Sequence, residues 1–255
     1  MKTEPSSVLV LGKFAKILDY LTGNNVATSV SAMSRTLGIP RATLYRLLES
    51  LQAQDIIVQR DGRYEIGLRM LTWGARALDA SSVRQVVYPY MQALKQETGL
   101  TASLYIRSGD SRICLECMPA EGSTFAPWRV GEQLALHACA SGTALLAWLP
   151  DDLRNQLLEA SRQRFATVPF TERTDDWWNQ IRKQGWVMLG SQPSAELAGL
   201  AAPIFDRAGV PVAAIALCGS ARGFANGDFD PPKIAQRLLE VTAQINETTE
   251  CRQVA

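Results

Sequence analysis

An α+β fold in two parts is predicted for this 255-residue chain. Three observations carry that prediction. Residues 30–67 hold two short helical patterns around a glycine, then two β-rich runs around an Asp-Gly pair. Residues 68–82 carry one helical stripe, as a connector would. From residue 83 onward, amphipathic stretches are interspersed with apolar strand runs, the pattern of an antiparallel sheet with helices packed around it. The expected division is therefore 1–67, 68–82 and 83–255.

Residues 7–21 read as a helix, with Val8, Leu11, Ala15, Leu18 and Leu21 at 3–4 spacing. It is expected to pack beneath the next two. Met33, Leu37, Ile39, Leu44 and Leu47 are spaced 4, 2, 5 and 3 apart, and the irregular steps straddle Gly38. One helix must stop there and another begin, because glycine tolerates the left-handed backbone of such a turn. Ser29 or Ser31 suits the first N-cap, and Pro40 suits the first turn of the second helix. On that second helix Leu44, Leu47, Leu48 and Leu51 form an apolar stripe. Arg41, Thr43, Tyr45 and Arg46 fall outside it.

Asp61-Gly62 lies between IIVQR and RYEI, a strong signal for a two-residue hairpin. Arg60 and Arg63 flank its tip. Helix, turn, second helix and basic hairpin together predict a winged helix-turn-helix. Such a unit places one helix in the major groove of double-stranded DNA and its wing on the backbone. The candidate DNA contacts are Ser31, Arg41, Thr43, Tyr45, Arg46, Arg60 and Arg63. Arginine can bond guanine bidentately or neutralise a phosphate. The same pattern could also be a helical hairpin and ribbon with no nucleic-acid role.

Charge gives this reading mild support. Net charge is +1, but residues 1–80 carry ten Lys/Arg against seven Asp/Glu, and the remainder sixteen against eighteen. Bulk electrostatics on that scale do not supply tight non-specific binding, so specificity rests on a few base contacts and a second copy. An apolar fraction of 47% and a charged fraction of 20% fit a soluble globular chain. No signal peptide or membrane-length apolar run is read, and the five cysteines are expected as free thiols in the cytoplasm.

In the second part, VRQVVYPYMQALKQETG reads as a helix ended by Gly99, and TASLYIRSGDSRICLECMP as two strands around Gly109-Asp110. ASGTALLAWLP, DDLRNQLLEASR and TDDWWNQIRKQG read as helices, the last with Thr174 as N-cap and Gly185 at its end. WVML, LAAPIF and VPVAAIALCG are strand runs, and PPKIAQRLLEVTAQINET is a closing helix.

Little here suggests chemistry. Cys114 and Cys117 have the spacing of half a zinc site, but no second pair follows, and residues three apart on a strand point to opposite faces. His137, the single histidine, is two residues from Cys139 and near Asp151 in sequence, yet no triad, carboxylate pair or phosphate loop accompanies it. No catalytic residue, metal or cofactor is assigned, and the chain is not expected to be an enzyme. Trp128, Trp177, Trp178 and Trp186 are expected in the core or at interfaces, with Trp128 able to reach a ligand.

The order and spacing of several segments resemble the isocitrate lyase regulator (IclR) family of bacterial transcription factors. These are GIPRATLYRLL (38–48), YEIG (64–67), VG (130–131), LHA (136–138), GTALLA (142–147), QGW (184–186), AAP (201–203) and VAAI (212–215). The resemblance covers about residues 8 to 248. It implies a winged helix-turn-helix, a linker helix and a GAF-like effector domain. It also implies dimers or tetramers on a palindromic operator, more often as a repressor, with control of a catabolic pathway.

By the same resemblance, a small effector would sit between the sheet and the helix beginning near Ala140 and Ser141. Carried over by position, the pocket would be Leu134, Ala140, Ser141, Leu189, Leu197, Gly199, Ala216 and Cys218, with Trp128 beside it. Where acid-binding relatives have an aspartate, a cysteine and two serines, this chain has Leu189, Gly199, Ala216 and Cys218. An unpaired polar ligand group there would lose roughly 1–3 kcal/mol per missing bond. The expected effector is therefore a carboxylate or aromatic compound with more apolar surface than a two- or three-carbon keto acid. Two other readings remain open: a thiol sensor using Cys114, Cys117 or Cys218, and an enzyme built on the second domain.

Overall fold

The computed structural model describes residues 9–23, 29–79, 81–123, 128–190 and 196–248. The chain forms two compact units, Met1–Ala77 and Leu78–Ala255.

The first unit contains α1 (Leu9–Gly23), α2 (Val30–Leu37), α3 (Arg41–Ala53), β1 (Ile57–Arg60) and β2 (Arg63–Ile66). Ser29 caps α2 by accepting from the Ala32 N–H at 3.3 Å, and Gly38 ends it at φ +64°. Pro40 stands just before α3 as its N-cap residue, one position earlier than expected. The hairpin pairs Ile57 with Ile66 and Arg60 with Arg63. Its turn takes Asp61 and Gly62 to φ +50° and +75°, as a two-residue turn with right-handed strand twist requires. Ile17, Met33, Ile39, Leu44, Leu48, Leu51, Ile56, Ile57 and Tyr64 make the core.

The face that α1 buries matches the predicted stripe only in its second half. Ile17 is buried with Phe14, Leu18 and Leu21 packed beside it, while Leu11 and Ala15 are exposed. Val8 lies outside the described residues. The helix carries apolar residues on two faces, so spacing alone could not choose between them.

The connector is α4 (Arg69–Asp79), and the division between units falls inside it rather than at its ends. Met70 packs on the first unit's core and Leu78 on the second's. Leu71 and Ala75 are exposed. Leu68, Leu71 and Trp73 are 80%, 69% and 47% accessible.

The second unit contains α5 (Ser82–Thr98), β3 (Thr101–Ser108), β4 (Ser111–Met118), β5 (Gln133–Ala135) and α6 (Cys139–Leu146). There follow α7 (Asp151–Arg164), α8 (Asp175–Gln184), β6 (Val187–Gly190), β7 (Leu197–Phe205), β8 (Pro211–Ser220), α9 (Ala221–Asn226) and α10 (Pro231–Glu247). The six strands form an antiparallel sheet in the order β5-β4-β3-β8-β7-β6. One face, with Leu104, Leu200, Ile215 and Leu217, packs on α5 and α10. The other, with Tyr105, Ala201, Ala214 and Ala216, packs on α6. Strand alternation sends neighbours to opposite layers.

A β-bulge breaks that alternation at Leu115. Leu104 pairs with Glu116 and Tyr105 with Cys114, leaving Leu115 without an opposite residue. The extra residue reverses the expected facing of Cys114 and Cys117: both pack into the layer under α6. β5 and α9, three and six residues long, were not foreseen.

Candidate functional site

The first unit presents a basic surface over its core. Leu44, Leu48 and Leu51 turn inward from α3, leaving Arg41, Tyr45 and Arg46 exposed and Thr43 half-buried. Arg60 and Arg63 stand exposed and cross-strand at the hairpin tip. Ser31 is half-buried in the first turn of α2. Among the described residues none of these four arginines enters an ion pair, so each guanidinium is open to an external anion. Exposed arginines on a helix and on a hairpin tip are the side chains that can meet a polyanion.

In the second unit, Leu189, Gly199 and Cys218 fall in one row across β6, β7 and β8, and Ala201, Ala216 and Ser103 form the next row. Leu197 shares the parity of Gly199 on β7. Gly199 has a structural reason: a Cβ there would come 2.9 Å from the Leu217 carbonyl oxygen. Ala140 and Ser141 are buried in the first turn of α6, which packs on β6, β7 and β8. Trp128 and Leu134 pack against the same layer. No side chain caps α6, whose N-cap residue is Ala138, and Cys139 takes a left-handed φ of +58°.

Two cavities flank this region. One, of about 160 Å³, is lined by His137, Cys139, Phe170, Trp178 and Leu189 among others. A second, of about 370 Å³, borders Leu197 and Cys218. Ala140, Ser141, Gly199 and Ala216 line neither, so the space between α6 and the small residues of the sheet is closed by packing. The smaller cavity still has room for a benzene-sized group, which a cavity of about 150 Å³ admits.

Arg112 was not singled out from the sequence. It sits next to the Gly109-Asp110 turn, where an arginine reads as solvent-facing. Yet Cys114 is an inward residue two positions on, and alternation alone would have turned Arg112 inward too. The side chain is 1% exposed. Its Nη1 donates to the Ala135 carbonyl and, at 3.1 Å, to the Ala138 carbonyl. The guanidinium lies 5.2 Å from the Tyr105 ring centroid and 5.9 Å from that of Trp128.

Three of the thiols are disfavoured as thiolates, and the one imidazole is engaged at both nitrogens. Burial pushes the Cys114 and Cys218 thiols up to about 12 and raises Cys117 as well, whereas a reactive thiol needs its thiolate favoured. Among the described residues no group of three or more His, Cys, Asp or Glu side chains could hold a metal ion. His137 has both ring nitrogens engaged. Nε2 meets the Val168 carbonyl at 3.2 Å and must donate, so Nδ1 accepts from the Ser161 hydroxyl at 3.1 Å. That hydroxyl in turn accepts from the Leu136 N–H. The imidazole ties α7 to the entry of α6 and has no free lone pair for base catalysis.

Burial also lowers the His137 pKa from its ordinary value, with the Val168 bond opposing. A depressed histidine contributes stability that is present above the unfolded pKa, about 6.5, and is lost as pH falls below it. Because the chain has one histidine, its imidazole proton resonance can be followed alone. The titration midpoint should lie below 6.5 in the folded protein and return to about 6.5 in denaturant.

Residues 10–61 match the family described as the IclR helix-turn-helix domain, and residues 75–247 the bacterial transcriptional regulator IclR C-terminal family. The HTH-type transcriptional repressor AllR of Escherichia coli is 30% identical over 208 residues, covering 80% of this chain and 77% of that protein. The E. coli regulator XynR is 27% identical over 207 residues, 79% and 82% of the two chains. Among solved structures, an IclR regulator from Alicyclobacillus acidocaldarius superposes with a TM-score of 0.77 at 18% identity, covering 94% and 98%. An IclR homolog from Microbacterium hydrocarbonoxydans, complexed with 4-hydroxybenzoate, gives 0.72 at 20% identity, covering 95% and 99%. With both domains matched in order, the chain belongs to the IclR family of bacterial transcriptional regulators.

Proposed function

We propose that this regulator acts as a ligand-responsive repressor, binding a palindromic operator as a homodimer or homotetramer and controlling a catabolic pathway in the cytoplasm. The observation that carries the reading is the exposed α3 face, Arg41, Tyr45 and Arg46, together with the exposed wing arginines Arg60 and Arg63, none of them in an ion pair among the described residues. Similarity to a named repressor supports the sign of regulation. The exposed Leu68 just before α4, Leu71 and Trp73 of α4 and Leu9 and Leu11 of α1 are the apolar surface that a second copy would cover. Two half-sites would then lie about 34 Å apart, or a multiple of that. A small organic effector, carboxylate or aromatic, would bind beside the first turn of α6 and shift the population of DNA-competent dimers.

Arg46→Ala tests the DNA-reading face. It should weaken operator binding by about 1–3 kcal/mol in fluorescence anisotropy while leaving binding to unrelated duplex nearly unchanged. Equal losses on both duplexes would make Arg46 a phosphate contact instead.

A further inference from the structure

On the proposed reading, in which two copies meet through α1 and α4, we infer that the corner between α3 and α4 sets which half-site spacing this regulator accepts, with Arg69 as the positioning residue that holds it. α3 ends at Ala53, and Gln54 follows as its C-cap. The carbonyls of a helix's last turn lack partners within the helix and form its negative dipole end. Arg69, the first residue of α4, turns back onto that end. Its Nη1 donates to the Gln54 carbonyl at 2.7 Å and to Gln54 Oε1 at 3.2 Å. The guanidinium lies 5.4 Å from the ring centroid of Trp73, one turn further along α4. Among the described residues Arg69 enters no ion pair, so the end of α3 is its anchor.

The backbone at the corner is equally tight. Asp55 takes a left-handed φ of +56°, and the Ile56 N–H returns to the Leu51 carbonyl at 3.0 Å. The Gly67 N–H donates to the Ile56 carbonyl at 2.8 Å, and a Cβ at 67 would run into the Asp55 carbonyl oxygen. Met70 then packs on the first unit's core. The chain therefore leaves the wing and enters α4 pressed against the end of the recognition helix. A close backbone approach and a charged clasp together fix the direction of α4 relative to α3. All of these residues belong to the first unit.

That direction matters because the two helices carry different surfaces. α4 holds Leu71 and Trp73, which a second copy would cover, and α3 holds the reading face. The angle between them thus fixes how far apart two recognition helices stand. Residues 69–77, the part of α4 within the first unit, make about 13 Å of helix. A turn of about 15° at the corner moves the end of that length by about 3.5 Å, close to one base-pair step of about 3.4 Å. A loose corner would accept neighbouring spacings. A held corner selects one, because a second half-site adds affinity only where the geometry lets both engage.

The test first selects duplexes from a random library with the full-length protein, then varies the spacer between the enriched half-sites by one and two base pairs. In fluorescence anisotropy the wild type should prefer one spacing by about tenfold over spacers two pairs longer or shorter. Arg69→Ala should narrow that ratio to about threefold or less, while its affinity for a duplex with a single half-site stays within about twofold of wild type. Arg69→Lys keeps the charge but not the planar fork, and its ratio should fall between the two. A spacing ratio unchanged in Arg69→Ala would overturn the inference. So would equal losses on the single and the paired half-sites, which would make Arg69 a phosphate contact. Enriched sequences bound by the wild type with no spacing preference would overturn it while leaving sequence-specific DNA binding intact. Selection that enriches no sequence would count against both.

Discussion

Leu48→Ala should unfold the first unit and leave the second folded. Leu48 is fully buried in a core of nine residues drawn from three helices, the hairpin and the turns between them. Removing its branched end costs about 2–5 kcal/mol through lost transfer energy and the cavity left behind. A core in a unit under about 80 residues supplies only about 3–5 kcal/mol of net stability. The two figures are of the same size, so the substitution consumes most of the available margin. Calorimetry should then show the first unit's transition lost or shifted far below that of the second. Operator binding should fall away, while any ligand that stabilises the second unit should still do so. One cooperative transition with both units lost would show instead that the units do not unfold independently.

The parts of the fold that were legible are those with local causes. Ser29, Gly38, Thr174, Gly185 and the Asp61-Gly62 turn announce themselves by chemistry that needs no distant partner. The α3 stripe was legible because one face of the helix is apolar and the other is not. The stripe read on α1 held at Leu18 and Leu21 but not at Leu11 and Ala15, because Leu9, Val10 and Leu11 add apolar surface that this chain leaves exposed. β5 is three residues long and is defined by pairing with β4 across a stretch far away in sequence. No pattern of three residues can carry that information.

The bulge at Leu115 shows how one residue changes a functional argument. With strict alternation, Cys114 and Cys117 would lie in different layers, and the bulge gathers both beneath α6. Arg112 shows the converse. Alternation places it inward correctly, but the charge of its side chain argues for solvent, and the conflict is resolved only by the Ala135 and Ala138 carbonyls and two aromatic rings. Conflicts between local preference and global position are expected at sites kept for function. The row Leu189–Gly199–Cys218 was carried over by position, and its strands do pair in that register. Its closure by packing was not legible, because it depends on how near α6 approaches.

Gly142→Ala should lower the stability of the second unit and abolish the ligand response. Position 142 lies in the middle of α6, where every residue from Ala140 to Leu146 is buried. Two effects compete. Alanine favours a helix over glycine by about 1 kcal/mol. Against this, a Cβ at 142 would run into the Leu136 carbonyl oxygen and lie 2.8 Å from its carbon. Both atoms are backbone, and Leu136 is pinned by its N–H bond to Ser161, so no side chain can swing away. Overpacking of this kind costs about 1–3 kcal/mol, and here it also displaces the turn that carries Ala138 and the start of α6. The clash should win, with a lower melting temperature and no thermal shift by any ligand that stabilises the wild type. Gly74→Ala is the counter-test of opposite sign. That glycine is also helical, in α4, but nothing lies within 4 Å of its missing Cβ. There the propensity gain of up to about 1 kcal/mol stands alone, and the first unit should melt at a higher temperature. If both substitutions stabilised their units, the close approach of Leu136 to α6 would not be a constraint on the pocket.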